Sequence, residues 1–132
     1  MNKKIIVTAS IFGGLAVVLG AMGAHALKPL LLPEQLITYE TAARYQMYHA
    51  LALLMLSALS DKLNAKFISY AWRFFVAGII LFSGSLYLIA THSLLGFENY
   101  LWLGPITPLG GLCFILGWIC VMLSAIKSTE IK

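Results

Sequence analysis

Residues 41–53 read TAARYQMYHALAL, and this stretch combines the apolar character of a membrane helix with a cluster of polar and ionisable side chains. On a helix that turns by about 100° per residue, five of these residues share one arc of about 120°: Thr41, Tyr45, Tyr48, His49 and Ala52. Glu40 and Arg44 lie to one side of that arc. We therefore expect a single hydrogen-bonding face on this helix, with the rest of the chain organised around it.

The composition around this stretch is that of a membrane protein. Of the 132 residues, 61% are hydrophobic and 11% are charged, whereas soluble domains are about half apolar and a quarter charged. The formal net charge of +4 does not indicate a nucleic-acid partner, because basic residues of membrane proteins cluster beside the spans and set their orientation. The lipid bilayer is the expected environment, and no nucleic acid is expected.

Four segments are long and apolar enough to cross a bilayer, which takes about 20 residues. We predict spans at residues 5–27, 38–60, 67–92 and 108–126 of one integral membrane domain, residues 1–132. The first segment also has features of a cleaved signal peptide, because Lys3 and Lys4 precede it and Ala24-His25-Ala26 fits the small-x-small cleavage rule. Its apolar run is longer than the usual ~7–15 residues of a signal peptide, which favours a retained helix.

Proline and polar residues indicate where the helices begin. Pro33 suits the first position of the second helix, which we expect to run over residues 33–60. Asp61 or Asn64 is expected to cap the third helix. Thr107 is predicted to cap the fourth helix, with Pro108 at its first helical position. The aromatic connector between the third and fourth helices is expected to dip into the membrane surface.

Three of the four helices carry small residues at alternating steps of four and three, a pattern that lets neighbouring backbones approach closely in lipid. The first helix has Ala9, Gly13, Ala16, Gly20 and Gly23. The third has Arg73, Ala77, Ile80, Gly84, Tyr87 and Thr91, and the fourth has Gly110, Cys113, Gly117, Cys120 and Ser124. Cys113 and Cys120 are about 10 Å apart along a helix, which is too far for a disulfide.

The basic residues predict the orientation. On the side of the amino terminus lie Lys3, Lys4, Lys62, Lys66, Arg73, Lys127 and Lys132, and only Lys28 and Arg44 lie on the other. The positive-inside rule then places both termini in the cytoplasm. The resulting fold class is an all-α membrane protein, an antiparallel up-down four-helix bundle in the cell membrane.

Four blocks of the sequence, one or more in each span, resemble the YwdK/YgdD-like family of bacterial inner-membrane proteins, whose animal relatives are small transmembrane proteins. The blocks are GAMGAH at residues 20–25, YQMYHALALL at 45–54, LFSGSLY at 81–87, and TPLGG at 107–111 continuing to Gly117-Trp118. The resemblance implies a four-span bundle in the cytoplasmic membrane. It implies no activity, because the family has no established one.

The orientation places three histidines toward the outer side: His25, His49 and His92. Imidazoles near a carboxylate can ligate a transition metal. One hypothesis is therefore a redox component of the membrane that uses His25 and His49 and is linked to a metal, a haem or a quinone. The sequence contains no HExxH motif and no Cys/His spacing typical of metal sites. No cofactor is indicated by these patterns, and no catalytic residue is assigned.

The other hypothesis is a non-enzymatic membrane protein whose polar face on the second helix is the site. That face would bind a small ligand or a lipid headgroup, or would fix packing against a membrane-protein partner or a second copy of the chain. The candidate ligand-binding residues are Tyr45, Gln46, Tyr48, His49, His25 and Tyr87. An unpaired polar group in hydrocarbon is costly, so each of these side chains is expected to have a partner.

Overall fold

The computed structural model describes residues 1–128, and Lys132, which was counted for the orientation, lies outside them. Four long helices follow one another: α1 (Lys3–Ala24), α2 (Pro33–Ala58), a third helix (Ala65–Leu95) and α5 (Ile106–Ile126). The third helix consists of α3 (Ala65–Gly78), a π-helical segment (Ile79–Ser83) and α4 (Gly84–Leu95). A short 3₁₀ turn, Leu101–Leu103, precedes α5.

The predicted start of α2, the predicted cap of α3 and the predicted end of α5 are confirmed, whereas the other ends differ by two or three residues. Pro33 occupies the first turn of α2. Asn64, rather than Asp61, caps α3, because its side chain accepts hydrogen bonds from the backbone N–H groups of Lys66 and Phe67. Gly96 adopts a left-handed conformation with φ of 79° and ends α4, a conformation that costs glycine nothing because it lacks a Cβ.

The predicted start of the fourth helix is wrong. α5 begins at Ile106, with Pro105 in the capping position, so that Thr107 and Pro108 already lie inside the helix. The hydroxyl of Thr107 is 2.6 Å from the hydroxyl of Ser85 on α4, and either atom can donate. Thr107 does not cap the helix, because its hydroxyl pairs with Ser85 on another helix instead.

The helices form an antiparallel bundle. α1 packs along α2, α4 packs on α2, and α3 with the π segment packs on α5. Ser57 near the end of α2 donates to the carbonyl of Asn2, and the backbone N–H of Asn64 donates to the carbonyl of Ser124. The start of α1 and the end of α5 therefore lie at the same end of the bundle.

Among residues 1–128, three helices are long and apolar enough to cross a membrane: Lys3–Ala24, Ala65–Leu95 and Leu101–Ile126. α2 is less apolar because its first half carries Glu34, Glu40 and Arg44. It nevertheless packs against α1 and bonds to it near both of its ends. A bilayer that contains α1 must therefore also contain α2, which makes the molecule a helical membrane bundle.

The small residues of α1 and α5 lie at helix interfaces, with the exception of Gly20. Ala9, Ala16 and Gly23 are buried, and Gly13 and Gly20 are half-buried. On α5, a Cβ added to Gly110 would overlap the backbone of Phe82, and one added to Gly117 would lie 2.5 Å from the ring of Phe75. A Cβ at Gly20 would meet nothing within 4 Å.

The predicted seam on the third helix is wrong in phase. Arg73 is exposed and Ile80 is 58% exposed, whereas Ile68, Ala71, Phe75 and Gly78 are buried. Ala77 and Gly84 are only half-buried, and a Cβ at Gly84 would meet no atom within 4 Å. The π turn adds one residue to the helix at Ile79–Ser83, so the buried face after it is offset from a regular 3.6-residue repeat.

Candidate functional site

The polar residues of α2 are divided between two opposite faces, and the expectation of a single face is wrong. The buried face contains Tyr39, Gln46 and His49. The exposed face contains Glu40, Arg44 and Tyr48. Because successive residues differ by about 100°, Gln46 points almost directly away from Arg44 and Tyr48, and these two sets cannot form one site.

Gln46 joins three helices at the centre of the buried face. It is 3% exposed. Its Nε2 donates to the carbonyl of Phe12 on α1 at 2.9 Å, and its Oε1 accepts from the hydroxyl of Tyr87 on α4 at 2.8 Å. The predicted candidates Gln46 and Tyr87 are thus brought together, and the amide has partners on both sides.

Tyr39 forms a second connection between α1 and α2, one that the sequence patterns did not single out. Its hydroxyl donates to the carbonyl of Leu19 at 2.6 Å, and its ring meets Tyr87 edge to face at a centroid distance of 5.1 Å. The ring lies directly over Gly23, where an added Cβ would be 2.6 Å from it. The pairing of a tyrosine with a distant glycine leaves no local sequence signal, so only the fold shows it.

His49 is enclosed by aromatic rings at the contact between α2 and α5. It is 4% exposed, and its ring stacks on Phe114 with a centroid distance of 3.6 Å and an interplanar angle of 8°. Phe75 approaches it edge to face at 5.2 Å. His49 stands out in the sequence, whereas these aromatic neighbours do not, because they come from other helices.

Both ring nitrogens of His49 have partners. The indole N–H of Trp118 donates to Nε2 at 3.2 Å, so Nε2 carries no proton and Nδ1 must be the protonated nitrogen. Nδ1–H then donates to the carbonyl of Tyr45 at 2.8 Å. A metal or other ligand at His49 would have to displace one of these bonds.

The predicted approach of His25 to His49 does not occur. His25 follows α1 and is exposed, whereas His49 lies one turn beyond Gln46, which contacts Phe12 in the middle of α1. His25 and Phe12 are thirteen residues apart, or roughly 20 Å along a helix. In residues 1–128 no three His, Cys, Asp or Glu side chains converge as a metal site would require, and the arrangement does not fit a site shared by His25 and His49.

His92 lies near the outer connector. Its Nδ1 is 2.7 Å from the carbonyl of Ile89, and its ring stacks on Tyr100 at a centroid distance of 3.9 Å. These contacts hold the connector against the end of α4. His92 thus has local partners and does not join the other two histidines.

The exposed face of α2 differs from the buried one in carrying charged side chains without polar partners, whereas Tyr45, at its edge, packs on Phe82 at a ring-centroid distance of 4.9 Å. Tyr48 is 53% exposed and Tyr45 is 38% exposed. Within residues 1–128, the side chains of Glu40 and Arg44 form no ion pair or hydrogen bond. By contrast, every buried side-chain nitrogen and oxygen in the same part of the chain has a partner.

The comparisons with known proteins agree on one family. The model of the family described as "Protein of unknown function (DUF423)" matches residues 19–111. A similar protein is the UPF0382 membrane protein YwdK of Bacillus subtilis, 41% identical over 95% of this chain and 98% of its own. A UPF0382 membrane protein of Haemophilus influenzae is 37% identical over 99% of this chain and all of its own. No solved structure matches the chain.

Proposed function

Because this chain belongs to the DUF423 family of membrane proteins, to which its resemblance to YwdK pointed, we propose that it is a non-enzymatic protein of the cytoplasmic membrane that associates with a second copy of itself through the exposed face of α2. The association face is defined as Glu40, Arg44 and Tyr48. The single observation that carries the proposal is that Glu40 and Arg44 are exposed without a partner on a helix whose buried polar atoms are all paired.

The depth of these charges makes a partner necessary. Gln46 bonds to Phe12, which lies near the middle of the 22-residue helix α1. Arg44 is two residues from Gln46, about 3 Å along the helix axis, so its Cα lies close to the level of the bilayer centre. A charged side chain at that depth costs roughly 2.5–3.5 kcal/mol on insertion scales. Pairing with an opposite charge in a second molecule would offset this cost.

The association face is complementary to itself, which favours a second copy as its occupant. Two copies have the same orientation in the bilayer, so their α2 helices would run parallel about a two-fold axis normal to the membrane. Glu40 and Arg44 are four residues apart. In such a pair each Glu40 lies about one turn from Arg44 of the second copy, and the two-fold axis produces this charge pair twice.

Site-specific photo-crosslinking in native membranes tests the location of this interface. A benzoylphenylalanine introduced at Tyr48 is expected to give a product of twice the monomer mass. The matched control is the same residue at Ile115, which is 58% exposed and lies at the level of His49, because its neighbour Phe114 stacks there. A monomer band alone from position 48, or a product with a protein of another mass, would overturn the proposal.

Charge reversal tests the pairing itself. Glu40→Arg alone and Arg44→Glu alone give two copies like charges along the whole face, and each is expected to remove most of the dimer product. The double variant Glu40→Arg/Arg44→Glu restores opposite charges in reversed order and is expected to restore crosslinking. If the double variant behaves like the single ones, the face is not self-complementary and the occupant is not a second copy.

A further inference from the structure

We propose that the end of the bundle where α1 begins contains a binding site for the phosphate of an anionic phospholipid. The site is a cleft of about 690 Å³ between the start of α1, the connector after α2 and the first half of α3. Its polar lining includes Lys3, Lys4, Ser69, Trp72 and Arg73. This site is separate from the association face on α2, and the proposal does not depend on self-association.

The cleft lies at the level of the lipid headgroups. α1 begins at Lys3 and is apolar from Ile5 onward, so the cleft is at the boundary between the hydrocarbon and the aqueous phase. The basic residues place this end of the bundle in the cytoplasm, where anionic headgroups form the membrane surface. A phosphodiester headgroup in the inner leaflet therefore has direct access to the cleft.

The charge of the cleft fits an anion. Lys3 and Lys4 come from α1 and Arg73 comes from α3, and all three are exposed. The acidic side chain among the described lining residues, Asp61, pairs with the amino group of Met1. Within residues 1–128, Lys3, Lys4 and Arg73 form no salt bridge. Three cations from two helices thus face one cleft without a protein counter-ion.

Trp72 gives the cleft a fixed wall. Its indole N–H donates to the hydroxyl of Thr8 on α1 at 3.3 Å, which holds the ring across the two helices. The ammonium group of Lys4 lies 4.4 Å from the centroid of this ring, a distance at which a cation is attracted to an indole face. Lys4 is therefore held beside the cleft. Arg73, the residue after Trp72, lines the same cleft. Tryptophan is also the side chain expected at headgroup depth.

Lipid retention measured by native mass spectrometry tests the proposal. Protein released from mild detergent is incubated with phosphatidylglycerol, with phosphatidylcholine, or with inorganic phosphate. We expect the wild-type chain to retain phosphatidylglycerol in preference to phosphatidylcholine. The variant Lys4→Gln/Arg73→Gln is expected to retain it about 30-fold less, since each basic side chain near the surface contributes roughly 1 kcal/mol to binding an anionic lipid.

The matched control is Lys62→Gln/Lys127→Gln, which removes the same charge at the same end of the bundle but from a different groove. It is expected to retain phosphatidylglycerol as the wild type does, and circular dichroism checks that both variants are folded. If both double variants lose phosphatidylglycerol equally, the binding depends on general surface charge and the proposed site is wrong. If millimolar inorganic phosphate displaces the lipid, the cleft is a site for free phosphate and the proposal of a lipid is wrong.

Discussion

The interface between α1 and α2 and the interface between the third helix and α5 are held together in different ways. From α2, three side chains donate to main-chain carbonyls of α1 or its cap: Tyr39 to Leu19, Gln46 to Phe12 and Ser57 to Asn2. At the other interface, the main contacts are three aromatic residues that pack on glycines. Phe82 packs on Gly110, Phe75 on Gly117 and Phe114 on Gly78.

The difference shows that the glycines of α1 and α5 are not equivalent. On α1, a Cβ added to Gly13 would lie 3.7 Å from Ala50 and one added to Gly20 would meet nothing within 4 Å. On α5, Gly110 admits the backbone of another helix. Lipid gives helices no hydrophobic reason to associate. The first interface therefore combines three hydrogen bonds with one close contact, Tyr39 over Gly23, and the second relies mainly on close packing.

The largest expected effect on stability is at Gly110 on α5, where the helices approach most closely. Gly110→Leu would drive a side chain into the backbone of Phe82, which cannot move without shifting the π segment. We expect a loss of about 3 kcal/mol in the free energy of unfolding, at the upper end for overpacked cores. The measurement is SDS-induced unfolding in mixed micelles, followed by circular dichroism.

The control for this variant is Gly20→Leu, which makes the same chemical change on α1 where a Cβ meets nothing within 4 Å. It is expected to leave the unfolding midpoint close to that of the wild type. Equal destabilisation by both variants would contradict the distinction between the two interfaces.

An intermediate effect is expected at the hydrogen-bonded interface. Gln46→Leu keeps the approximate volume but leaves the hydroxyl of Tyr87 without its acceptor. Leaving a buried donor unsatisfied costs roughly 1–3 kcal/mol, so we expect a loss of about 1.5 kcal/mol in the same assay. Adding Tyr87→Phe to this variant should cost little more, because the hydroxyl that lost its acceptor is then absent. Fully additive losses would show that Gln46 and Tyr87 act independently.

The smallest effect is expected for Tyr39→Phe, which removes only the hydroxyl that bonds to Leu19. The ring remains over Gly23, and interhelical hydrogen bonds in membranes average about 0.6 kcal/mol. The unfolding midpoint should therefore fall slightly. A loss as large as that of Gly110→Leu would mean that the bond contributes more than the packing does, and would reverse the comparison.

Several parts of the candidate site were predictable and others were not. Gln46, His49 and Tyr87 stand out in the sequence because polar side chains are rare in apolar helices. Their partners were not predictable, because Phe12, Phe114 and Trp118 are ordinary residues of other helices. The predicted arc through Tyr48 and His49 crosses the border between the exposed and the buried face, since periodicity alone does not show which direction faces the neighbouring helices.

The sequence by itself determined the membrane setting, the four helices and the starts of the second and third of them, because hydropathy, Pro33 and Asn64 act locally. The tertiary structure alone decided the phase of the third helix, the tautomer of His49 and the division of α2 into a buried and an exposed polar face. The π turn at Ile79–Ser83 rotates every later residue of its helix. A hydrogen bond between helices depends on where two distant segments meet, and no local pattern encodes that meeting.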